Sequence, residues 1–208
     1  MFFSGLTRFL SAGRGGPMAP AAYFASLPVL ETSRLVLRSL KLRDAGDIFS
    51  YASDPDVARY VLWEPHRSVA DTRNYIRCIR ALYRRGLPAS WAVTLRESGQ
   101  VIGTIGFMWY SDVNSAAEIG YSFSKSYWNK GYATEALRAV MDSVFRTLPV
   151  NRLEAQHDVR NPASGRVMEK CGMRKEGILR QRINNKGEFV DVALWSFIRA
   201  DLEPPADL

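Results

Sequence analysis

Apolar positions along this chain recur with two periods, about two residues in some stretches and about 3.6 in others. Residues 34–40 alternate in strand fashion, and Arg43-Asp44-Ala45-Gly46-Asp47 then opens a helix reaching about Ala52. Asp54-Pro55 breaks it, and a short helix is predicted over 57–62. Trp63-Glu64-Pro65-His66 reads as a loop. Ser68 with Asp71 three residues on forms a capping box that starts a long helix, which Gly86 and Pro88 end. Three strand-like runs follow, 90–96, 101–110 and 116–124, with turn signals at Ser98-Gly99 and at 111–114, so an antiparallel meander is predicted. After Gly131 a helix gathers Ala133, Ala136, Leu137, Val140, Met141, Val144, Phe145 and Leu148 on one face. Residues 152–159 read as a strand and 163–171 as a helix. A hairpin closes the chain, 175–183 and 189–198, joined at Asn184-Asn185-Lys186-Gly187. This order predicts a mixed α/β fold without internal repeats.

Composition narrows the class. A chain of 208 residues, 47% hydrophobic and 12% aromatic, can bury a full core and makes one domain or one domain with a tail. The expected division is residues 1–29 as an N-terminal tail or extra segment, 30–203 as the domain and 204–208 as a C-terminal tail. Cys78 and Cys171 do not make a disulfide framework, which suits a reduced compartment. No apolar run approaches the ~20 residues that span a bilayer, so a cytoplasmic protein with no membrane partner is expected. The net charge of +7 suits an anionic cofactor, an acidic partner or RNA, or marks only a solvated arginine-rich surface. Arg77, Arg80, Arg84 and Arg85 share a helix without the interleaved aromatics of a single-strand platform.

Residues 1–29 carry Arg8 and Arg14 and no acidic residue. They read as a targeting peptide, a flexible tail or a start displaced from Met18. Phe2, Phe3, Leu6, Phe9 and Leu10 also permit an amphipathic segment that packs on a partner subunit.

The candidate chemistry centres on Trp128-Asn129-Lys130-Gly131-Tyr132-Ala133-Thr134-Glu135-Ala136. A strand, a glycine turn and a helix N-terminus make a phosphate site, because the first N–H groups of the helix lack partners and the dipole favours negative charge. Gly131 lets the backbone approach a pyrophosphate where a Cβ would collide. The Lys-Ser/Thr pair of a P-loop is absent, as are the three spaced glycines of the dinucleotide fingerprint. The remaining pattern, Gly-x-Ala opening a helix, resembles the coenzyme A pyrophosphate loop of the GCN5-related N-acetyltransferase superfamily. Asn161-Pro162-Ala163-Ser164, Glu169-Lys170-Cys171-Gly172-Met173 and Glu176-Gly177 follow in that superfamily's order and spacing. Leu30-Glu31-Thr32-Ser33-Arg34-Leu35-Val36-Leu37-Arg38 is similar to the opening strand of its ribosomal-protein alanine and serine N-acetyltransferase (RimJ/RimL-like) branch. The resemblance covers nearly the whole chain, from Leu30 to Asp201.

The resemblance implies an α+β fold with a mixed, mostly antiparallel sheet of about seven strands flanked by about four helices. It implies acetyl-CoA as co-substrate, no metal, and an amine acceptor, either a protein N-terminus or a small molecule. The cofactor-binding residues it implies are Tyr121, Phe123, Trp128, Asn129, Lys130, Gly131, Tyr132, Ala133 and Thr134, with Asn161 and Ser164 at the second helix, where both can also simply cap. Acyl transfer needs a proton acceptor, because an amine is mostly protonated near neutrality, and a donor to polarise the thioester carbonyl. Glu118 is the candidate base. Gly120 marks a possible bulge or splay that frees a backbone N–H on the strand before the loop. Trp63, His66, Trp109 and Asp191 are candidate substrate contacts, each with a plainer reading as loop, core or hairpin residue.

Two positions depart from the superfamily pattern. Trp128 stands where Gln or Arg is usual, and Met168 stands where several members carry an acidic tyrosine. Cys171 reads as packing rather than as an acyl carrier, and His66 and His157 show no metal spacing. Two further readings are open: a non-catalytic acyl-CoA-binding module, and a ribosome- or RNA-associated binding protein. A homodimer is permitted.

Overall fold

The computed structural model describes residues 18–202. Eight strands form one sheet in the order β1-β2-β3-β4-β5-β6-β8-β7. They are β1 (Leu30–Glu31), β2 (Leu35–Ser39), β3 (Ser90–Leu95), β4 (Val101–Ser111), β5 (Ala116–Phe123), β6 (Arg152–Asp158), β7 (Arg174–Asn185) and β8 (Glu188–Ile198). Neighbours are antiparallel except β5 and β6, which run parallel. That one parallel pair requires a crossover, and α5 (Tyr132–Thr147) supplies it. The predicted meander is β3–β4–β5, and the predicted closing hairpin is β7–β8.

Helices cover both faces. The larger core joins α1 (Pro20–Ala25), α5 and α6 (Pro162–Lys170) to the sheet through residues such as Trp91, Ile105, Leu137, Val144 and Met168. The periodicity of α5 explains its place, because Ala136, Leu137, Val140, Met141, Val144 and Phe145 form one buried stripe. A smaller core packs α2 (Ala45–Ala52) and α4 (Val69–Arg84) on the other face through Ile48, Tyr51, Ile76 and Ala92. Ser68 caps α4 by accepting from Asp71 N, but the Asp71 carboxylate takes the Arg67 N–H rather than that of Ser68, so the capping box is displaced by one residue. Among the described residues no helix is long and apolar enough to cross a membrane.

Among the described residues the sheet has eight strands where about seven were expected and there are six α-helices where about four were, and several local expectations also differ. The opening strand is two strands, β1 and β2, because Leu35 N–H bonds to Thr32 Oγ1 and turns the chain between them. The short helix expected over 57–62 is α3 (Pro55–Ala58), with Asp54 accepting from Asp56 N. The proline that reads as a breaker sits in the first turn, where its missing N–H is not needed. Residues 18–29 lie in the part set apart in sequence as a tail or extra segment, and here they pack on the domain through α1. Tyr23 and Phe24 of α1 lie in the larger core against Phe107, and the Tyr23 hydroxyl meets Ser143 Oγ at 2.9 Å. The segment from Phe2 to Leu10 and the tail 204–208 lie outside the described residues. Finally, β7 bulges around Gln181, whose positive φ of 48° and N–H bond to Asp191 Oδ1 fix the irregularity.

Candidate active site

The parallel pair β5–β6 is joined only at its beginning. Ala116, Ala117 and Glu118 pair with Arg152, Leu153 and Glu154, and the register stops there, although β5 continues to Phe123 and β6 to Asp158. From that point β6 stays paired with β8 and β5 with β4, so a gap opens between them. Ser124 N donates to Ile102 O on the β4 side at 2.8 Å. Backbone groups alternate between a strand's two edges, so Gly120 and Ser122 also face β4. The N–H groups of Tyr121 and Phe123 therefore face the gap. Such unpaired donors are the kind of group that polarises a carbonyl.

The bulge expected at Gly120 lies in the facing strand instead. The β4–β5 register shifts between Phe107 and Trp109, which leaves Met108 as the extra residue. At Gly120 a Cβ would lie 2.8 Å from Met108 Sδ, the end of an exposed, flexible side chain that can move aside.

Glu118 sits where the gap begins. It is 8% exposed. Trp109 Nε1 donates to its Oε2 at 2.6 Å, and Gln156 Nε2 to its Oε1 at 2.9 Å. Both partners are neutral, so the carboxylate is held in place without a neutralising cation. Trp109, expected to wall the acceptor site, thus orients the candidate base. Gln156 is new here. Its only sequence signal is a polar residue on the same face of β6 as Glu154 and Asp158.

At the far end of the gap the chain makes a 3₁₀ turn over Lys125–Tyr127 and enters the phosphate loop. Asn129 and Gly131 take positive φ, 58° and 80°. The first α5 hydrogen bond runs from Glu135 N to Gly131 O, which leaves the N–H groups of Tyr132, Ala133 and Thr134 without helical carbonyl partners. Lys130 is exposed at the loop, its ammonium 5.7 Å from the Tyr127 ring. Trp128 is half exposed and donates through its indole to Phe123 O at 2.8 Å, so it ties the loop to the end of β5. These orphan donors, together with the gap leading to them, fit the pyrophosphate and extended arm of coenzyme A.

Arg34, just before β2, was not foreseen at this loop. Its guanidinium donates to Lys130 O at 3.0 Å and to Glu135 Oε2 at 2.6 Å, and lies 4.3 Å from the Tyr132 ring centroid. Glu135 would otherwise bring negative charge to the helix end that should receive an anion. Burial alone would raise its carboxyl, but bonds from Thr32 and Arg34 outweigh that and hold it below the usual carboxylate range.

Asn161 caps α6 by accepting from Ser164 N. The Tyr121 hydroxyl donates to Ser164 O at 3.1 Å and meets Ser164 Oγ at 3.0 Å, which fixes α6 against β5. Burial raises the Tyr121 phenol despite Ser164. Gly165 allows α6 to close on β6, since a Cβ there would lie 2.6 Å from His157 Nε2. Met168 is 1% exposed and belongs to the core. Burial pushes the Cys171 thiol up to about 12, which makes it a poor nucleophile.

Trp63 and His66 are brought together on the α2–α4 side, ring centroids 5.6 Å apart, with Tyr75 a further 5.9 Å from His66. His66 Nδ1 meets Thr72 Oγ1 at 2.8 Å, and burial pushes the imidazole down while Asp71 opposes the shift. Burial likewise raises the Tyr75 phenol, against the polar pull of Thr104, which lies beside Ser122 of β5. Asp191 belongs to the β7 bulge described above rather than to this group.

Similarity to known proteins follows the same outline. Residues 34–174 match the acetyltransferase (GNAT) domain family. The uncharacterized N-acetyltransferase p20 of Bacillus licheniformis is 34% identical over 175 residues, covering 84% of this chain and 98% of its own. A crystal structure of a GNAT-family acetyltransferase from Bacillus anthracis is 31% identical, with a TM-score of 0.73 over 82% of this chain and 98% of that one. The ribosomal protein uS5-alanine N-acetyltransferase of Escherichia coli is 26% identical over 186 residues, covering 84% of this chain and 93% of its own. With the splayed strand pair and the helix-end anion site in place, the chain belongs to the GNAT family and is an acetyl-CoA-dependent acetyltransferase.

Proposed function

We propose that this enzyme acetylates the α-amino group of a polypeptide that begins with alanine or serine, in the manner of the RimJ/RimL-like branch, with Glu118 as the proton acceptor. The observation that carries the assignment is the buried Glu118 carboxylate, held by Trp109 and Gln156 at the mouth of the β5–β6 gap. The protein substrate of the Escherichia coli relative supports the acceptor class.

Acetyl-CoA supplies the acyl group as a thioester. An α-amino group has a pKa of about 7.7–8.0, so a large share of it is protonated near neutrality and unreactive. Glu118 takes that proton directly or through one water. The amine nitrogen bonds to the acyl carbon as the C–S bond breaks, and the second proton lost from nitrogen passes to the departing thiolate, so that an amide and the coenzyme A thiol are formed. The Tyr121 and Phe123 N–H groups are suited to hold the carbonyl oxygen, and the orphan N–H groups at the start of α5, with Lys130, to hold the pyrophosphate. Asn161 and Ser164 are suited to line the arm between them. Trp63 and His66 are suited to contact the acceptor.

The test is thiol release from acetyl-CoA with Ala- and Ser-starting peptides and small amines, for the native chain and Glu118→Gln. The native enzyme is expected to turn over the peptides. The variant is expected to lose about 10²-fold or more of kcat at neutral pH and to recover part of it at high pH, where the free amine needs no base. Unchanged kcat in the variant removes Glu118 from the role.

A further inference from the structure

A cavity of about 430 Å³ lies between the end of α3 and the tip of the β7–β8 hairpin, lined by Arg59, Tyr60, Arg160, Asn185, Lys186 and Glu188. Its charges are unbalanced. Arg160 is already satisfied, by Asp158 at 2.7 Å and by Glu188 at 3.0 Å, so the one lining carboxylate is occupied. Lys186 Nζ reaches only a neutral carbonyl, Ala58 O. Arg59 is exposed, has no ion pair among the described residues, and lies 5.7 Å from the Tyr60 ring. Among the described residues neither of these two cations makes an ion pair with a carboxylate, and the Asp56 carboxylate that feels Arg59 is bound to Lys125.

Asn185 adds a second, independent sign. It is 7% exposed, and its Oδ1 is buried without a hydrogen-bond partner. An unmet buried acceptor is costly. A site that leaves one in place, beside two unpaired cations, is built to receive a group that both donates a hydrogen bond and carries negative charge nearby.

The cavity and the candidate base each have a partner on β6. Gln156, which holds Glu118, and Asp158, which holds Arg160, are two residues apart on one face of β6. That step is roughly 7 Å at about 3.3–3.4 Å per residue. An extended peptide rises by a similar amount per residue, so its second to fourth residues fall within reach of the cavity.

We infer that this cavity seats an acidic side chain of the acceptor polypeptide, about two to four residues beyond the acetylated amino group. Arg59 and Lys186 receive the carboxylate, and Asn185 Oδ1 accepts a peptide N–H. The inference rests on the polypeptide-acceptor reading given above.

The test uses the full chain with matched Ser-starting peptides that carry Glu, Gln or Lys at positions two to four. Initial rates are read as kcat/KM for the native chain and for Arg59→Glu. The native enzyme is expected to favour the Glu peptides over the Lys peptides by ten-fold or more, mainly through KM. In Arg59→Glu that ratio is expected to fall by at least ten-fold. Lys186→Gln, a neutral change at the hairpin tip, is expected to move the ratio in the same direction by less. Equal rates for Glu and Lys peptides, or a ratio that Arg59→Glu leaves intact, would overturn the inference while leaving the acceptor class standing. Failure of the acceptor class looks different: no Ala- or Ser-starting peptide of any charge turns over while a small amine does, and the inference then falls with it.

Discussion

The two ends of the β5–β6 gap are built from different materials. At the phosphate-loop end the groups proposed to bind are backbone N–H groups of Tyr132, Ala133 and Thr134, and side chains such as Trp128 and Arg34 hold that backbone in place. At the Glu118 end the working groups are side chains, each fixed by another side chain. A backbone-built site tolerates changes of side chain as long as the turn survives. A site built from side chains does not, because each donor removed leaves a buried acceptor unmet.

Trp109→Phe gives the largest effect that this contrast predicts beyond the Glu118 change itself. The ring volume is largely kept, but Glu118 Oε2 loses its donor at 2.6 Å. A buried acceptor left unmet costs about 1–3 kcal/mol, or about 5–150-fold. Steady-state kinetics should show this loss in kcat, with the KM for acetyl-CoA nearly constant. Gly131→Ala comes next. A non-glycine residue at φ 80° costs roughly 1–2 kcal/mol, and its Cβ would lie 3.4 Å from the Arg34 guanidinium. Thermal unfolding should fall by a few degrees, and the KM for acetyl-CoA should rise while kcat changes little. Trp128→Gln should do least, about ten-fold at most on the KM for acetyl-CoA, because one hydrogen bond to Phe123 O is typically worth about 0.5–1.5 kcal/mol. If Trp128→Gln proves costlier than Trp109→Phe, the contrast is reversed.

The same contrast explains what was legible in the sequence. The phosphate loop is local, with turn, glycine and helix start inside nine residues, so spacing alone exposes it. Strand alternation likewise places Glu118 next to it. Gln156 and Arg34 are not local. Gln156 lies 38 residues from the carboxylate it holds, and Arg34 lies 101 residues from Glu135. Periodicity carries no information about which distant side chains meet. The short helix α1 escaped for a related reason: what holds it is the burial of Tyr23 and Phe24 against a sheet formed much later in the chain. Pro20 in its first turn, like Pro55 in α3, was the available signal, and both prolines were easier to see as stops than as starts. The Met108 bulge was hidden because its visible partner, Gly120, belongs to the neighbouring strand.

Arg34 has one more consequence. The pair it makes with Glu135 joins the beginning of the domain to the loop proposed to receive the anion. Until that clasp closes, the carboxylate of Glu135 stands unopposed in the first turn of α5 and repels the very charge that the helix end attracts. A nascent chain that has just completed α5 is therefore not yet ready for its co-substrate unless its earliest strands have already folded back. A peptide copied from Trp128 to Ala136 would carry every residue of the motif but not the Arg34 cation that offsets Glu135.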